Sequence, residues 1–108
     1  MPTDRPIALD DAADLDALVV ERDRVLVEFY TENCPKCQSM EPVLGVVSRA
    51  TEATVATINP RDDPPLIERF DVRSVPLFVL FVDGEPVDRL AEGVVEADAL
   101  VEFVESNR

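Results

Sequence analysis

Residues 24–30, RVLVEFY, run almost directly into TENCPKC, and this succession constrains the fold more than any other stretch of the chain. Val25, Leu26, Val27 and Phe29 make a β-branched and aromatic run, short enough for a strand covered on both faces. Pro35 then suits a first helical position. Beyond it, Met40, Val43, Leu44 and Val47 recur at i, i+3, i+4 and i+7, so a helix begins near Cys34.

The alternation continues along the chain. Ala12, Leu15, Leu18 and Val19 fall at helical spacing, behind Asp11 and Asp14, which suit a helix N-terminus. Residues 53–59, ATVATIN, read as another strand, Asp63-Pro64 as a helix start and PLIERF as a short helix. PLFVLFV is a strand, Asp83-Gly84 a two-residue hairpin signal, and residues 85–92 return antiparallel. Pro86 confines that return to an edge, because it cannot donate to the ladder. Ala97, Leu100, Val101 and Val104 form a last amphipathic helix, and a first strand fits near Ile7. Strands alternating with helices predict a mixed α/β sandwich, in one domain spanning residues 1–108.

At 108 residues the chain has room for one core. Its longest apolar run, VPLFVLFV, is far short of the roughly 20 residues that span a membrane. MPTDRPIALDD has neither a basic start nor an apolar stretch, so no secretory signal and a cytoplasmic setting are expected. In that setting a lone disulfide is more often catalytic or redox-sensing than structural. The net charge of −13 repels nucleic acid and anionic membranes, so neither is expected as a partner. The acidic residues number 23 and are spread along the chain, against a single lysine. Such a balance points to a halophilic protein in a high-salt cytoplasm, where self-repulsion is screened over a few ångströms.

The two cysteines, Cys34 and Cys37, stand at the handover from strand to helix, on one face of its first turn. That spacing places their α-carbons about 5–6 Å apart, within disulfide range. As a staple the pair is weak, since so small a ring stabilises by roughly 2 kcal/mol, against about 3 for a 15-residue loop. As a zinc site it is half complete, because the chain has no histidine and only a dimer would pool four thiolates. As a redox centre it is well placed. The unpaired N–H groups and partial positive charge of a helix N-terminus favour a thiolate, and Lys36 adds a cation. Cys34 is then the exposed nucleophile, and Cys37, turned inward, resolves the mixed disulfide.

With VLVEFYTENCPKC, RSVPLFVLFVDGE and EGVVEADALVEFV in that order, the chain resembles the thioredoxin family from about residue 7 to 107. The resemblance implies a thioredoxin fold, with a central mixed sheet and helices on both faces. It implies reduction of disulfide-containing protein substrates, with electrons resupplied by a thioredoxin-reductase-type donor. No bound cofactor is implied, because the redox-active Cys34-Cys37 pair stores both electrons, and a monomer is expected. Glu28 matches a position where the family often has a buried aspartate, implying a proton acceptor for Cys37. An acid inside VLVEFY is unusual on its own account, since an unpaired buried carboxylate is costly and tends to stay protonated. Pro76 matches the family's cis-proline. Val75 before it then pairs by backbone with an extended substrate, and Gly93 matches a glycine beside the same groove. Pro42 matches a proline that kinks the active-site helix.

The chain departs from the family at four positions. Pro35 and Lys36 replace the usual Gly-Pro between the cysteines, so an N–H facing the thiolate is lost while a charge is gained. Asn33 replaces a tryptophan, making the groove that Asn33 and Pro35 border more polar. Thr57 replaces a lysine that many relatives hold near the buried acid, so the Glu28 pKa is expected to rise further. The Pro-Lys pair keeps open a glutaredoxin-like or oxidase- or isomerase-type thiol exchange, and a non-catalytic thioredoxin-fold binding module is the alternative from another class.

Overall fold

A strand that is apolar on both faces needs a hydrogen-bonding neighbour along each edge and a helical layer over each face. The structure, a computed structural model, describes residues 5–106. The reading of the first four residues as free of a signal, and the end of the matched stretch at residue 107, lie outside them. β2 (Arg24–Phe29) is buried along its length except at Arg24. It lies between β3 (Thr54–Ile58), parallel, and β4 (Leu77–Val82), antiparallel, so that Val27 pairs with Ala56 on one side and Val79 on the other. β1 (Ile7–Leu9) extends the sheet beyond β3 and β5 (Glu85–Leu90) extends it beyond β4, in the order β1-β3-β2-β4-β5.

The twofold alternation of β2 divides the core in two. Val25, Val27 and Phe29 pack with Leu15 and Val19 of α1 (Ala12–Glu21), Leu66 of α3 (Pro65–Arg69) and Phe70. Leu26 points the other way, with Phe78 and Leu80, against Met40, Leu44 and Val47 of α2 (Pro35–Ala50) and Leu100 and Val104 of α4 (Ala97–Ser106). Each fully buried leucine or phenylalanine among these contributes about 2–3 kcal/mol. Among the described residues no helix is long and apolar enough to cross a membrane.

Local chemistry explains the ends of these elements. Asp11 caps α1 by accepting from the Asp14 N–H at 2.9 Å, while the Asp14 carboxylate accepts from the Asp10 N–H at 3.0 Å. Asp63 does not cap a helix of its own. A 3-10 turn (Pro60–Asp62) precedes it, α3 begins two residues beyond it, and its carboxylate accepts from the Ala12 N–H at 2.9 Å. Pro64 and Pro65 have no N–H, and the Leu66 N–H donates to the Asp63 carbonyl at 3.0 Å, so the Asp63 carboxylate is left to serve α1. The hairpin turns at Asp83 and Gly84, both left-handed at φ 53° and 83°. Its register shifts between Leu80, opposite Asp88, and Phe81, opposite Pro86, which leaves Val87 as a bulge beside the proline on the edge strand.

Candidate active site

β2 hands over to α2 through Asn33, which adopts a left-handed φ of 59°, a conformation that asparagine tolerates better than most residues. The sequence reading gave Asn33 a place beside the groove but missed this backbone role. Cys34 then caps α2, with its sulfur accepting from the Cys37 N–H at 3.2 Å and its carbonyl accepting from the Gln38 N–H at 3.0 Å. Pro35 takes the first helical position, where its missing N–H leaves no intrahelical bond unmade. The cysteines are disulfide-bonded with their α-carbons 5.3 Å apart. Cys37 is 5% exposed and Cys34 only half-buried, so one sulfur faces outward and the other the core. Pro42 lies inside α2, where its nitrogen has no hydrogen for the Gln38 carbonyl.

Glu28 follows Leu26 on the face of β2 that α2 covers. It is 3% exposed, and its Oε2 has no hydrogen-bond partner among the described residues. Burial, and next the charge of Glu41, push its pKa from 4.5 up to about 8. Glu28, Cys37, Glu41 and Thr57 line one cavity of about 420 Å³, with Asn33 at its border. Thr57 is the register partner of Glu28, so the uncharged residue noted in the sequence does stand beside the acid. Glu41 went unnoticed in the sequence. Its signal was the spacing of four from Cys37, which puts both on one helix face, but spacing cannot say that this face lines the cavity that Glu28 shares.

The Val75-Pro76 bond is cis. Leu77, directly after it, pairs with Phe29, so this bond sits at the end of the sheet where β2 passes to α2. Val75 and Thr31 line a smaller cavity there, of about 210 Å³. Gly93 is left-handed at φ 80°, and a Cβ on it would lie 3.8 Å from Lys36 Cδ and 3.9 Å from Nζ, so the lysine side chain runs past the glycine. The Val95 N–H donates to Met40 Sδ at 3.4 Å, which ties this loop to α2. Among the described residues no group of three or more His, Cys, Asp or Glu side chains is placed to hold a metal ion.

The thioredoxin family model matches residues 7–106. The chain belongs to the thioredoxin family. Its five-stranded mixed sheet with helices on both faces is the thioredoxin fold, and a mutant thioredoxin from Halobacterium salinarum NRC-1 superposes on it with a TM-score of 0.92. That likeness is at 36% identity and covers 98% of this chain and 93% of the other. Thioredoxin of Mycobacterium tuberculosis is 34% identical over 99 residues, covering 90% of this chain and 85% of the relative. Chloroplastic thioredoxin Y1 of Arabidopsis thaliana is 36% identical over 93 residues, covering 83% of this chain and 54% of the relative. The chain thus spans about half the length of the chloroplastic thioredoxins it matches. Within the thioredoxin frame its redox-type pair encloses Pro35 and Lys36, and its buried acid has Thr57 and Glu41 as neighbours.

Proposed function

We propose that this chain is a thiol–disulfide oxidoreductase that reduces protein disulfides by cycling Cys34 and Cys37 between dithiol and disulfide. The observation that carries this reading is the asymmetry of the pair. Cys34 is accessible at the N-terminus of α2, and Cys37 is buried against the cavity that holds Glu28. The Cys34 thiolate attacks one sulfur of the substrate disulfide, whose S–S bond breaks, and the first substrate thiolate leaves. Glu28 accepts the proton of Cys37, whose sulfur attacks Cys34 Sγ and releases the second substrate thiolate. Two electrons pass to the substrate and the Cys34–Cys37 disulfide remains, to be reduced again by a dithiol donor of the thioredoxin-reductase type.

Lys36 and the helix N-terminus favour the Cys34 thiolate, while the extended substrate pairs along Val75 and Pro76 and borders Gly93, Asn33 and Pro35. With Glu28 held to about pH 8, its ionised fraction grows through the neutral range, and resolution quickens with it. One chain supplies every group in this cycle, so a monomer suffices. The net charge of −13 and the likeness to a Halobacterium thioredoxin support a high-salt cytoplasm as its setting.

The test is acceleration of protein-disulfide reduction by dithiothreitol in molar salt, with Cys34→Ser alongside and circular dichroism on both. Acceleration by the wild type alone is expected. A folded wild type that accelerates nothing would leave the binding-module reading in its place. The Pro-Lys pair favours one second reading, an oxidase, which a strongly reducing couple in defined thiol buffers would eliminate.

A further inference from the structure

The cavity behind Cys37 has an unusual electrostatic lining. β2 contributes Glu28, the segment after it Tyr30 and Glu32, α2 Cys37, Gln38 and Glu41, and β3 Thr57. Every titratable group in that wall is therefore an acid, a phenol or a cysteine, and no lysine or arginine lines it among the described residues. Into this space opens a carboxylate that is 3% exposed with one oxygen unpartnered. Burial first, and then the charges of Asp62, Glu32, Glu28 and Asp10, hold the Tyr30 phenol above its ordinary pKa. Among the described residues, Glu41 is the neighbouring charge that acts on Glu28. It is exposed, one helical turn from Cys37, on the rim of the same cavity.

We propose that Glu41 is a positioning residue for the proton transfer between Cys37 and Glu28: lining with Glu28 a cavity that no cation lines among the described residues, its carboxylate sets the pH at which Glu28 takes the Cys37 proton. This rests on the proposed role of Glu28 as acceptor. No further reactant is needed, since one proton leaves Cys37 Sγ and arrives on a Glu28 oxygen as the sulfur closes on Cys34. The exposed position of Glu41 makes the influence adjustable from solvent, because salt screens a charge on the rim more than one in the interior. Where a cation at this rim would draw the working range to lower pH, Glu41 holds it higher.

The experiment follows the resolving step in single turnover. Reduced protein meets a model peptide disulfide across pH 5.5 to 9.5, and release of the second peptide thiol is timed. The carboxyl resonance of Glu28 is titrated by NMR in the oxidised protein. The midpoint for Glu41→Gln is expected to fall by roughly half a pH unit, and that for Glu41→Lys by about one, in both measurements. Glu28→Gln is expected to slow resolution and to leave only the limb set by ionisation of the Cys37 thiol itself, and adding Glu41→Gln to it to change nothing further. Unmoved midpoints in the Glu41 variants, with resolution slowed and its limb displaced in Glu28→Gln, would overturn the role of Glu41 and leave that of Glu28 standing. A rate and limb in Glu28→Gln that coincide with those of the wild type would overturn the reading on which both rest.

Discussion

Glu28 on β2 and Thr57 on β3 are register partners, and both line the cavity behind Cys37. The threonine brings no charge to its neighbour, and Glu28 Oε2 stays unpartnered among the described residues. A lysine at this register position would place an ammonium within reach of the buried carboxylate. Thr57→Lys is expected to lower the Glu28 pKa by a unit or more. NMR titration of the Glu28 carboxyl reads this directly, and a midpoint still near 8 would show that the two side chains do not communicate.

Stability should carry the same signature with the sign of a raised acid. The folded chain holds the Glu28 proton to about pH 8, whereas the value to which the unfolded chain relaxes is near 4.5. Unfolding therefore releases a proton between those limits, and stability falls as pH rises through the window and levels off above it. For a buried group the fall is on the order of 5 kcal/mol. Glu28→Gln should match the wild type below pH 4.5 and exceed it at pH 8 in denaturant titrations. Parallel curves for the two proteins would contradict the shifted carboxyl.

The proposed resolving step needs the Cys37 sulfur as its nucleophile. Cys37→Ser is expected to accumulate a mixed disulfide on Cys34 with a protein substrate, visible as a covalent adduct on non-reducing gels and removed by dithiothreitol. Cys34→Ser should accumulate none. Equal adducts from both variants would mean that either sulfur attacks.

The charge of −13 is a folding liability that salt relieves. The Debye length falls from about 10 Å at 0.1 M salt to about 3 Å at 1 M. The melting temperature is therefore expected to rise steeply over that range, and calorimetry at constant pH measures it. Melting indifferent to potassium chloride would argue against a high-salt setting.

Asp63 joins α1 to the segment before α3 through one hydrogen bond to the Ala12 N–H, across 51 residues of sequence. Asp63→Ala is expected to destabilise the fold by about 1 kcal/mol, the usual loss for a helix N-terminal acceptor. An unchanged denaturation midpoint would show that water replaces the carboxylate without loss.

What the sequence determined by itself is local. A continuous β-branched and aromatic run marks β2, an apolar period of 3.6 marks α2 and α4, Pro35 marks where α2 starts, and the C-x-x-C spacing sets a Cα separation observed at 5.3 Å. Asp83-Gly84 specifies its hairpin because these residues accept the left-handed backbone that a two-residue turn demands. Even the oddity of Glu28 was legible, as a carboxylate in a strand with no polar face. Tertiary structure alone decided what surrounds these residues. The strand order β1-β3-β2-β4-β5, the face of β2 that α2 covers, Asp63 serving α1, and Glu41 lining one cavity with Glu28 all join residues remote in sequence or on separate elements. Periodicity says which side chains share a face. Only the packing of one element on another says what that face meets, and the protonation of Glu28 depends on what it meets.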